Sequence, residues 1–158
     1  MVTSAGILLY RVAPQLEVLI AHMGGPFWAA KDAGAWSIPK GEFHEGQESP
    51  LDAARREFRE ELGVEPPEGP YAELGSFTYS SGKRVIVFGT DGAGFSLEGL
   101  QFGEFELAWP PRSGLTKRFP EVDRVEWTGL ATARQRLVKG QRPAIDALER
   151  RLAETGET

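Results

Sequence analysis

Near the start of the chain, apolar residues occur in short runs that are typical of β-strands. The runs at residues 3–11 and 16–22 are rich in Ile, Leu, Val and Tyr, and Pro14 and Gln15 lie at the predicted turn between them. A loop containing Gly and Trp follows, and residues 36–41 (WSIPKG) predict a short extended segment that ends at a glycine. The pattern therefore predicts two strands and a third, shorter extended piece.

The strongest helical pattern covers residues 49–62. Ser49 is a favourable N-cap, and Pro50 stands at the first helical position, where its missing N–H leaves no hydrogen bond unmade. Asp52 completes an arrangement similar to a capping box, and Gly63 is the expected C-terminal stop. One face of the helix is apolar and is predicted to pack against the sheet: Leu51, Ala54, Phe58 and Leu62.

The remainder of the chain alternates irregularly between strand-like and helix-like segments. Strands are predicted at residues 73–80, 83–89, 105–109 and 124–129, and helices at residues 130–138 and 143–154 on either side of Gly140. Loops rich in Gly or Pro are predicted at residues 91–103 and 110–114. No internal repeat or linker divides the chain, so we expect one mixed α/β domain over residues 1–158.

Composition and charge exclude several classes of function. The chain has 158 residues, 41% of them hydrophobic and 26% charged, which is typical of a globular protein rather than a disordered one. Its net charge of −5 argues against binding to a nucleic acid polymer, since that requires a positive surface. The apolar runs are too short to span a membrane, and the N-terminus does not resemble a signal peptide. Because the chain has no cysteine, a cytoplasmic location is expected; monomer and homodimer both stay open.

Three glutamates fall on one face of the predicted helix, beside its apolar face. Glu57, Glu60 and Glu61 come together at roughly 100° per residue. Like charges at this spacing destabilise a helix by roughly a few tenths of a kcal/mol each, so a compensating cation is expected. Mg²⁺ prefers such oxygen ligands. The alternative is a solvated face whose glutamates pair with arginines of the same helix: Arg55, Arg56 and Arg59.

The segment that leads into this helix carries a spaced motif. From Glu48 the sequence runs through seven residues to Arg56-Glu57 and ends at Gly63-Val64. It resembles the Nudix box, G-x5-E-x7-R-E-U-x-E-E-x-G-U, in which U is a bulky apolar residue. Every defined position from Glu48 onward matches if Phe58 is taken as U, and so many fixed positions make the resemblance specific.

The loop before the motif departs from the pattern at one point. Gly41 lies one residue too far upstream of Glu48, and in strict spacing Gln47 would take the place of the glutamate. We interpret this as an insertion near residues 46–47, because Glu48 keeps the correct distance to Arg56.

The resemblance implies a fold, a chemistry and a set of roles. The Nudix fold is an α/β/α sandwich around a mixed β-sheet, and its members typically hydrolyse a diphosphate linkage in a nucleotide derivative with Mg²⁺ or Mn²⁺. The resemblance implies that Glu57, Glu60 and Glu61 bind the metal ion, together with the Gly41 carbonyl. Glu48 and Arg56 would pair to hold the loop on the helix, a structural role.

A further glutamate is expected to reach the metal site from outside the helix. Several Nudix enzymes carry one on a loop before the last strand, and Glu121 has that layout, six residues before Trp127. The resemblance implies that Glu121 is a metal ligand or the general base. Alternatively it is a surface charge paired with Arg118 or Arg124. Two nearby carboxylates compete for the same role: Asp123 and Glu104.

Two other segments indicate the class of substrate. Residues 36–41 look like the approach to the box in diadenosine polyphosphate hydrolases, so Trp36 and Lys40 are expected to contact the substrate. Residues 105–127 resemble a bacterial subgroup of nucleotide pyrophosphohydrolases, in which Arg112, Lys117 and Arg118 would bind phosphates. Trp109 either stacks on a base or simply packs.

These features predict a metal-dependent enzyme that cleaves a nucleoside polyphosphate or dinucleoside polyphosphate. One rival hypothesis is a catalytically silent Nudix module that binds a nucleotide as a regulator. Another is an unrelated α/β domain with an acidic helix. His44, a lone loop histidine, is expected to be a surface residue.

Overall fold

The computed structural model describes residues 2–156. The strands are β1 (Thr3–Arg11), β2 (Glu17–Met23), β3 (Trp36–Ser37), β4 (Lys40–Glu42), β5 (Ala72–Thr78), β6 (Arg84–Asp91), β7 (Glu104–Ala108), β8 (Thr116–Pro120) and β9 (Val122–Gly129). The helices are α1 (Pro50–Leu62), α2 (Leu130–Arg136) and α3 (Arg142–Thr155), with a 3-10 helix at Lys139–Gln141. Across residues 2–156, none of the helices has the length and apolar character needed to cross a membrane.

Most of the strands form one mixed sheet. Its central order is β3-β2-β1-β6-β5, with β4 paired to β1 and β9 paired to β2. The pairing of β1 with β6 is parallel, whereas the other pairings in the sheet are antiparallel. β7 and β8 form a separate antiparallel hairpin. This hairpin leads directly into β9, and so places residue 121 at the junction between hairpin and sheet.

Both faces of the sheet are covered, because apolar side chains alternate along its central strands. In β1, Ile7 and Leu9 join the core formed with α1, whereas Leu8 joins the core formed with α2 and α3. β6 alternates in the same way. The predicted α/β/α sandwich around a mixed sheet is confirmed.

Helix α1 begins and ends as its sequence predicts. The Ser49 side chain accepts a hydrogen bond from the Asp52 backbone N–H at 3.1 Å. Gly63 caps the other end in the left-handed region, with φ of 76°, and its N–H donates to the Arg59 carbonyl. The helix buries Ala53, Ala54, Phe58 and Leu62. Leu51, expected among them, is only half-buried, and Ala53 is the additional core residue.

Two segments differ from the sequence prediction. β8 was not predicted, because both faces of this hairpin strand are largely exposed and its residues do not alternate between apolar and polar. The helix predicted at residues 130–138 ends at Arg136, and the chain then turns through the 3-10 helix that contains Gly140. Neither difference alters the sheet.

Candidate active site

A cleft of about 430 Å³ opens beside the carboxyl-terminal half of α1. One wall is polar and comes from β4, α1 and the β8–β9 junction: Lys40, Gly41, Glu42, Glu57, Glu61 and Glu121. The other wall is largely apolar: Ala21, Met23, Trp28, Phe105 and Val122. The cleft therefore joins a concentration of negative charge to an aromatic surface.

Glu61 is the most perturbed acid of the cleft. Burial raises the pKa of its carboxyl group to about 8, which the positive charge of Lys40 partly opposes. Glu121 and Glu57 raise the pKa of Glu61 further through their own charges. Burial also raises the pKa of Glu57, and hydrogen bonding from Arg56 opposes that shift. The carboxylates of Glu57, Glu61 and Glu121 therefore lie close together, and Lys40 is a cation beside Glu61.

Arg56 ties three glutamates together on the outer side of α1. Its Nε contacts both oxygens of Glu48 at 3.2 Å, which is the pairing expected from the motif. Its Nη1 contacts Glu57 at 2.8 Å and Glu60 at 3.1 Å. Hydrogen bonding from Arg56 lowers the pKa of Glu48. Glu60 is 58% exposed and does not line the cleft, although it shares Arg56 with Glu57.

Gly41 lies directly against the Glu57 side chain. A Cβ at this position would overlap the Glu57 carboxylate as it is placed here, so Gly41 lets the Glu57 side chain lie directly against β4. The extra residue in the following loop is absorbed by a tight turn, in which the Gln47 N–H donates to the His44 carbonyl and Gly46 has φ of 91°. His44 is exposed on this turn. The longer loop thus leaves both Gly41 and Glu48 beside the helix.

Glu121 enters the cleft from the β8–β9 junction. Its backbone is fixed on both sides: its N–H donates to the Gly103 carbonyl at 2.7 Å, and its carbonyl accepts from the Gly24 N–H at 3.0 Å. Within residues 2–156, its carboxylate has no ion-pair partner. The two arginines considered as partners of Glu121 pair instead with the two competing carboxylates: Arg118 with Glu104 at 3.2 Å and Arg124 with Asp123 at 3.3 Å.

Trp36 does not contact the cleft, and the expectation that it binds substrate is corrected. Its side chain has no exposed surface, and its indole N–H donates to Asp32 at 3.0 Å. The guanidinium groups of Arg124 and Arg136 lie 5.1 and 4.7 Å from its ring centre. Trp36 is a core residue because β3 pairs with β2 at the covered edge of the sheet.

The aromatic residues that do line the cleft are Trp28 and Phe105. Sequence patterns did not identify either of them as a site residue. Trp28 lies in an irregular loop with no periodicity, and Phe105 follows a Gly-rich stretch that has no fixed spacing from the motif. Only the folded arrangement brings them opposite the glutamates.

The residues of the hairpin that were expected to bind phosphates lie on different faces of it, because successive side chains of a strand point to opposite sides. Lys117 pairs in register with Leu107, on the same face as Phe105 and Phe119. Arg118 pairs with Glu106 on the opposite face, and Arg112 lies exposed near the tip. The structure therefore brings Lys117, but not Arg118, to the hairpin face that carries Phe105. Trp109 packs edge-on against Phe27 at 6.2 Å and does not line the cleft.

Gln141 is a buried residue near the site that the sequence did not indicate. Its side-chain carbonyl accepts from the Ile38 N–H at 2.7 Å, and its amide donates to Ser37 and Tyr79 at 3.0 and 2.8 Å. It thereby fixes the segment that leads into Lys40 and Gly41.

The donor set of the polar wall fits a hard divalent cation. Its carboxylate oxygens come from Glu57, Glu61 and Glu121, with Gly41 beside them, and carboxylate oxygen is the type of ligand that Mg²⁺ and Mn²⁺ prefer. Burial raises the pKa of Glu61, so a cation in the cleft would favour its charged form. In the described part of the chain, no three acidic or histidine side chains yet surround one point. Glu57 would have to turn from Arg56 to complete the set.

This chain is similar to known proteins in sequence and in fold. A NUDIX domain profile matches residues 2–148. An uncharacterized 17.7 kDa protein of Enterobacteria phage T4 is 36% identical over 86 residues, which are 54% of this chain and 56% of that protein. The matched region spans little more than half the length of that relative.

Solved structures share the fold over nearly the whole chain. An Ap4A hydrolase from C. elegans superposes with a TM-score of 0.60 at 19% identity, covering 98% of this chain and 99% of the other. The NUDIX domain of Shewanella oneidensis NrtR, complexed with ADP ribose, gives 0.62 at 20% identity, covering 96% and 88%. A MutT protein from Methanosarcina mazei gives 0.59 at 19% identity, covering 95% and 94%.

At these identities the structural likeness establishes the fold alone, whereas the profile covers most of the chain and includes the glutamate helix. The chain therefore belongs to the Nudix family.

Proposed function

We propose that this Nudix hydrolase uses Mg²⁺ or Mn²⁺ to cleave a diphosphate linkage in a nucleoside polyphosphate or dinucleoside polyphosphate. One observation carries the proposal: Glu57 and Glu61 from α1 and Glu121 from the β8–β9 junction line one cleft with Lys40. Carboxylates crowded beside a single lysine suit a metal-bound anionic substrate better than a free anion, which they would repel.

The residues that would hold the metal ion are Glu57, Glu61, Glu121 and the Gly41 carbonyl, with Glu60 contributing from the rim. When bound, the metal supplies charge neutralisation of the diphosphate and a lowered pKa of a bound water. Lys40 lies beside Glu61 and is placed to contact a phosphate oxygen of the substrate. Lys117 extends the positive charge along the hairpin face.

We propose Glu121 as the general base or as the metal ligand from outside the helix. Its backbone is held by two hydrogen bonds while its carboxylate is free of ion pairs within residues 2–156. A fixed backbone with an uncommitted side chain suits accurate placement for proton transfer. In Glu121→Gln, kcat should therefore fall more than substrate binding weakens. Equal changes in kcat and KM, or none, would contradict this role.

The substrate class is supported by two features. The cleft has an aromatic wall for a base and Lys40 for a phosphate, and an Ap4A hydrolase shares the fold. We expect diadenosine polyphosphates or nucleoside triphosphates to be cleaved faster than ADP-ribose, although a NUDIX domain complexed with ADP ribose also shares the fold. A clear preference for ADP-ribose would contradict this order.

The direct test is turnover of a substrate panel with Mg²⁺, with Mn²⁺ and with a chelator. The panel contains diadenosine polyphosphates, ordinary and oxidised nucleoside triphosphates, ADP-ribose and nucleotide sugars. We expect cleavage that depends on the metal and is lost in Glu61→Gln. Binding of nucleotides without turnover of any of them would instead identify a catalytically silent module.

A further inference from the structure

The two aromatic side chains of the cleft lie on the wall that does not carry the glutamates. Trp28 packs partly against the core that the sheet forms with α2 and α3, and Phe105 lies on the hairpin strand β7. Both line the cleft together with Glu57, Glu61 and Glu121. Their burial is only partial, so part of each ring remains open to the cleft.

The loop that carries Trp28 is held rigidly. Its two ends are joined by the hydrogen bond from the Met23 N–H to the Ala35 carbonyl, at 3.0 Å. In its middle, the Lys31 carbonyl accepts from the ring of His22 at 2.6 Å, and His22 is completely buried. The Trp28 N–H itself donates to the Gly25 carbonyl at 3.2 Å. Trp28 is therefore presented by a preformed loop, which lowers the entropic cost of binding a ligand against it.

Phe105 is fixed by the same loop. Gly25 has φ of 93°, a backbone conformation that favours glycine, and a Cβ built on it would lie 3.0 Å from the tip of the Phe105 ring and crowd it. On the hairpin, Phe119 lies beside Phe105, with ring centres 6.1 Å apart. The loop and the hairpin thus form one aromatic wall.

Few hydrogen-bonding side chains are available at this wall. Apart from the carboxylates and Lys40, the cleft-lining residues between 2 and 156 contribute the Ser37 hydroxyl and the Trp28 indole N–H. The Ser37 hydroxyl is already used, since it donates to the Ile38 carbonyl and accepts from the Gln141 amide. Selective reading of a base edge by side chains uses paired donors and acceptors, such as those of Asn or Gln, and the aromatic wall has no such side chain within residues 2–156.

We propose that Trp28 and Phe105 form the nucleobase slot of this hydrolase, and that the slot binds a base by its ring faces without reading its edge. This inference rests on the proposed function, which supplies a nucleotide substrate. The enzyme then accepts purine and pyrimidine nucleotides alike and discriminates against substrates that have no base, because stacking on an aromatic ring tolerates every base. A cleft of about 430 Å³ is at the small end of ligand sites, so a second nucleoside would lie outside it.

The first test compares kcat/KM for ATP, GTP, CTP and UTP with that for ribose 5-triphosphate, which lacks the base. We expect the kcat/KM values of the four nucleotides to agree within about tenfold. The kcat/KM of the analogue without a base should be about 5- to 150-fold lower. Trp28→Leu and Phe105→Leu should each reduce the preference for nucleotides over the baseless analogue, by lowering kcat/KM for the nucleotides only. Trp28→Phe should retain most of this preference. Phe27→Ala is the matched control, because this exposed aromatic residue lies on the same loop but not in the cleft.

A second measurement separates the slot from catalysis. Titration of the protein in Mg²⁺ with a non-hydrolysable methylene analogue of ADP should quench tryptophan fluorescence in the native chain and in Phe27→Ala, but much less in Trp28→Phe, and circular dichroism should show each variant folded. Quenching without turnover of any substrate would sustain the slot and reject the proposed function. Turnover with an undiminished base preference in Trp28→Leu would reject the slot, as would a purine-to-pyrimidine ratio above about a hundredfold, which requires hydrogen-bonded readout.

Discussion

Neighbouring glutamates on one helix differ sharply in their surroundings. Glu61 lies within the cleft, where burial raises the pKa of its carboxyl group to about 8, whereas Glu60 is 58% exposed and paired with Arg56. The motif has glutamate at both positions, but only Glu61 of the two lies in the cleft. A buried carboxylate is the stronger ligand for a cation, because little water competes for it.

Glu61→Gln should therefore reduce turnover more than Glu60→Gln. Glutamine keeps the shape and removes the charge, and we expect a loss of kcat on the order of 10²-fold or more for Glu61, typical of a key electrostatic group. Glu60→Gln should lose less, because its carboxylate lies outside the cleft. Steady-state kinetics at saturating Mg²⁺ measures both losses, and circular dichroism controls for folding. Near-normal turnover in Glu61→Gln would reject the metal assignment.

The raised pKa of Glu61 also predicts how the stability of the metal-free protein depends on pH. Between its ordinary value of 4.5 and the folded value of about 8, the folded chain holds a proton that the unfolded chain has released. The free energy of unfolding contributed by this group therefore falls as pH rises through that window. Urea unfolding in EDTA at pH 5 to 8.5 should show a shallower decline in Glu61→Gln than in the native chain. Parallel curves for the two proteins would contradict the burial of Glu61.

At the scale of elements, the sequence was informative where local rules determine the structure. Helix α1 has a Ser cap, an early proline, a terminal glycine and an apolar face, and each of these acts over a few residues. The central strands carry alternating side chains for two covered faces. The family motif then predicted the layers and most of the polar wall.

What sequence patterns missed depends on contacts between distant segments. Trp36 was expected in the cleft because it precedes the motif, yet pairing of β3 with β2 buries it. Trp28 and Phe105 come together only because the hairpin folds back onto the Gly25 turn. Gln141 reaches Ile38 across 103 positions of sequence. No local pattern encodes these approaches.

The N-cap of α1 can be tested alone. Ser49→Ala removes the side-chain acceptor of the Asp52 N–H and should lower the free energy of unfolding by about 1 kcal/mol, within a range of roughly 0.5–2. Ser49→Asp should retain the cap, because a carboxylate accepts the same hydrogen bond and interacts favourably with the helix N-terminus. Chemical denaturation measures both variants. An unchanged stability in Ser49→Ala would show that the cap does not limit the stability of the fold.

The whole molecule has a net charge of −5, and the carboxylates that line the cleft are also negative. Long-range attraction of an anionic substrate is therefore weak, and binding must depend on local charges. In the proposed function, Lys40, Lys117 and a bound metal ion supply those local charges, and the aromatic wall adds an attraction that salt does not screen.

Binding of a divalent cation should accordingly stabilise the whole fold. Mg²⁺ or Mn²⁺ that binds only the folded chain raises its stability by mass action, by about 2.7 kcal/mol at a hundred times Kd, or roughly 5–10 °C in Tm for a chain of this size. The gain should grow from pH 6 to pH 8.5, because the proton on Glu61 competes with the metal below its pKa of about 8. The double variant Glu57→Gln/Glu61→Gln should lose the gain, and Glu73→Gln, which removes an exposed charge on β5, should retain it. Differential scanning calorimetry against a metal titration measures each shift. A Tm that stays flat to tens of millimolar metal, or rises equally in the double variant, would mean that the carboxylates of the cleft do not bind the ion.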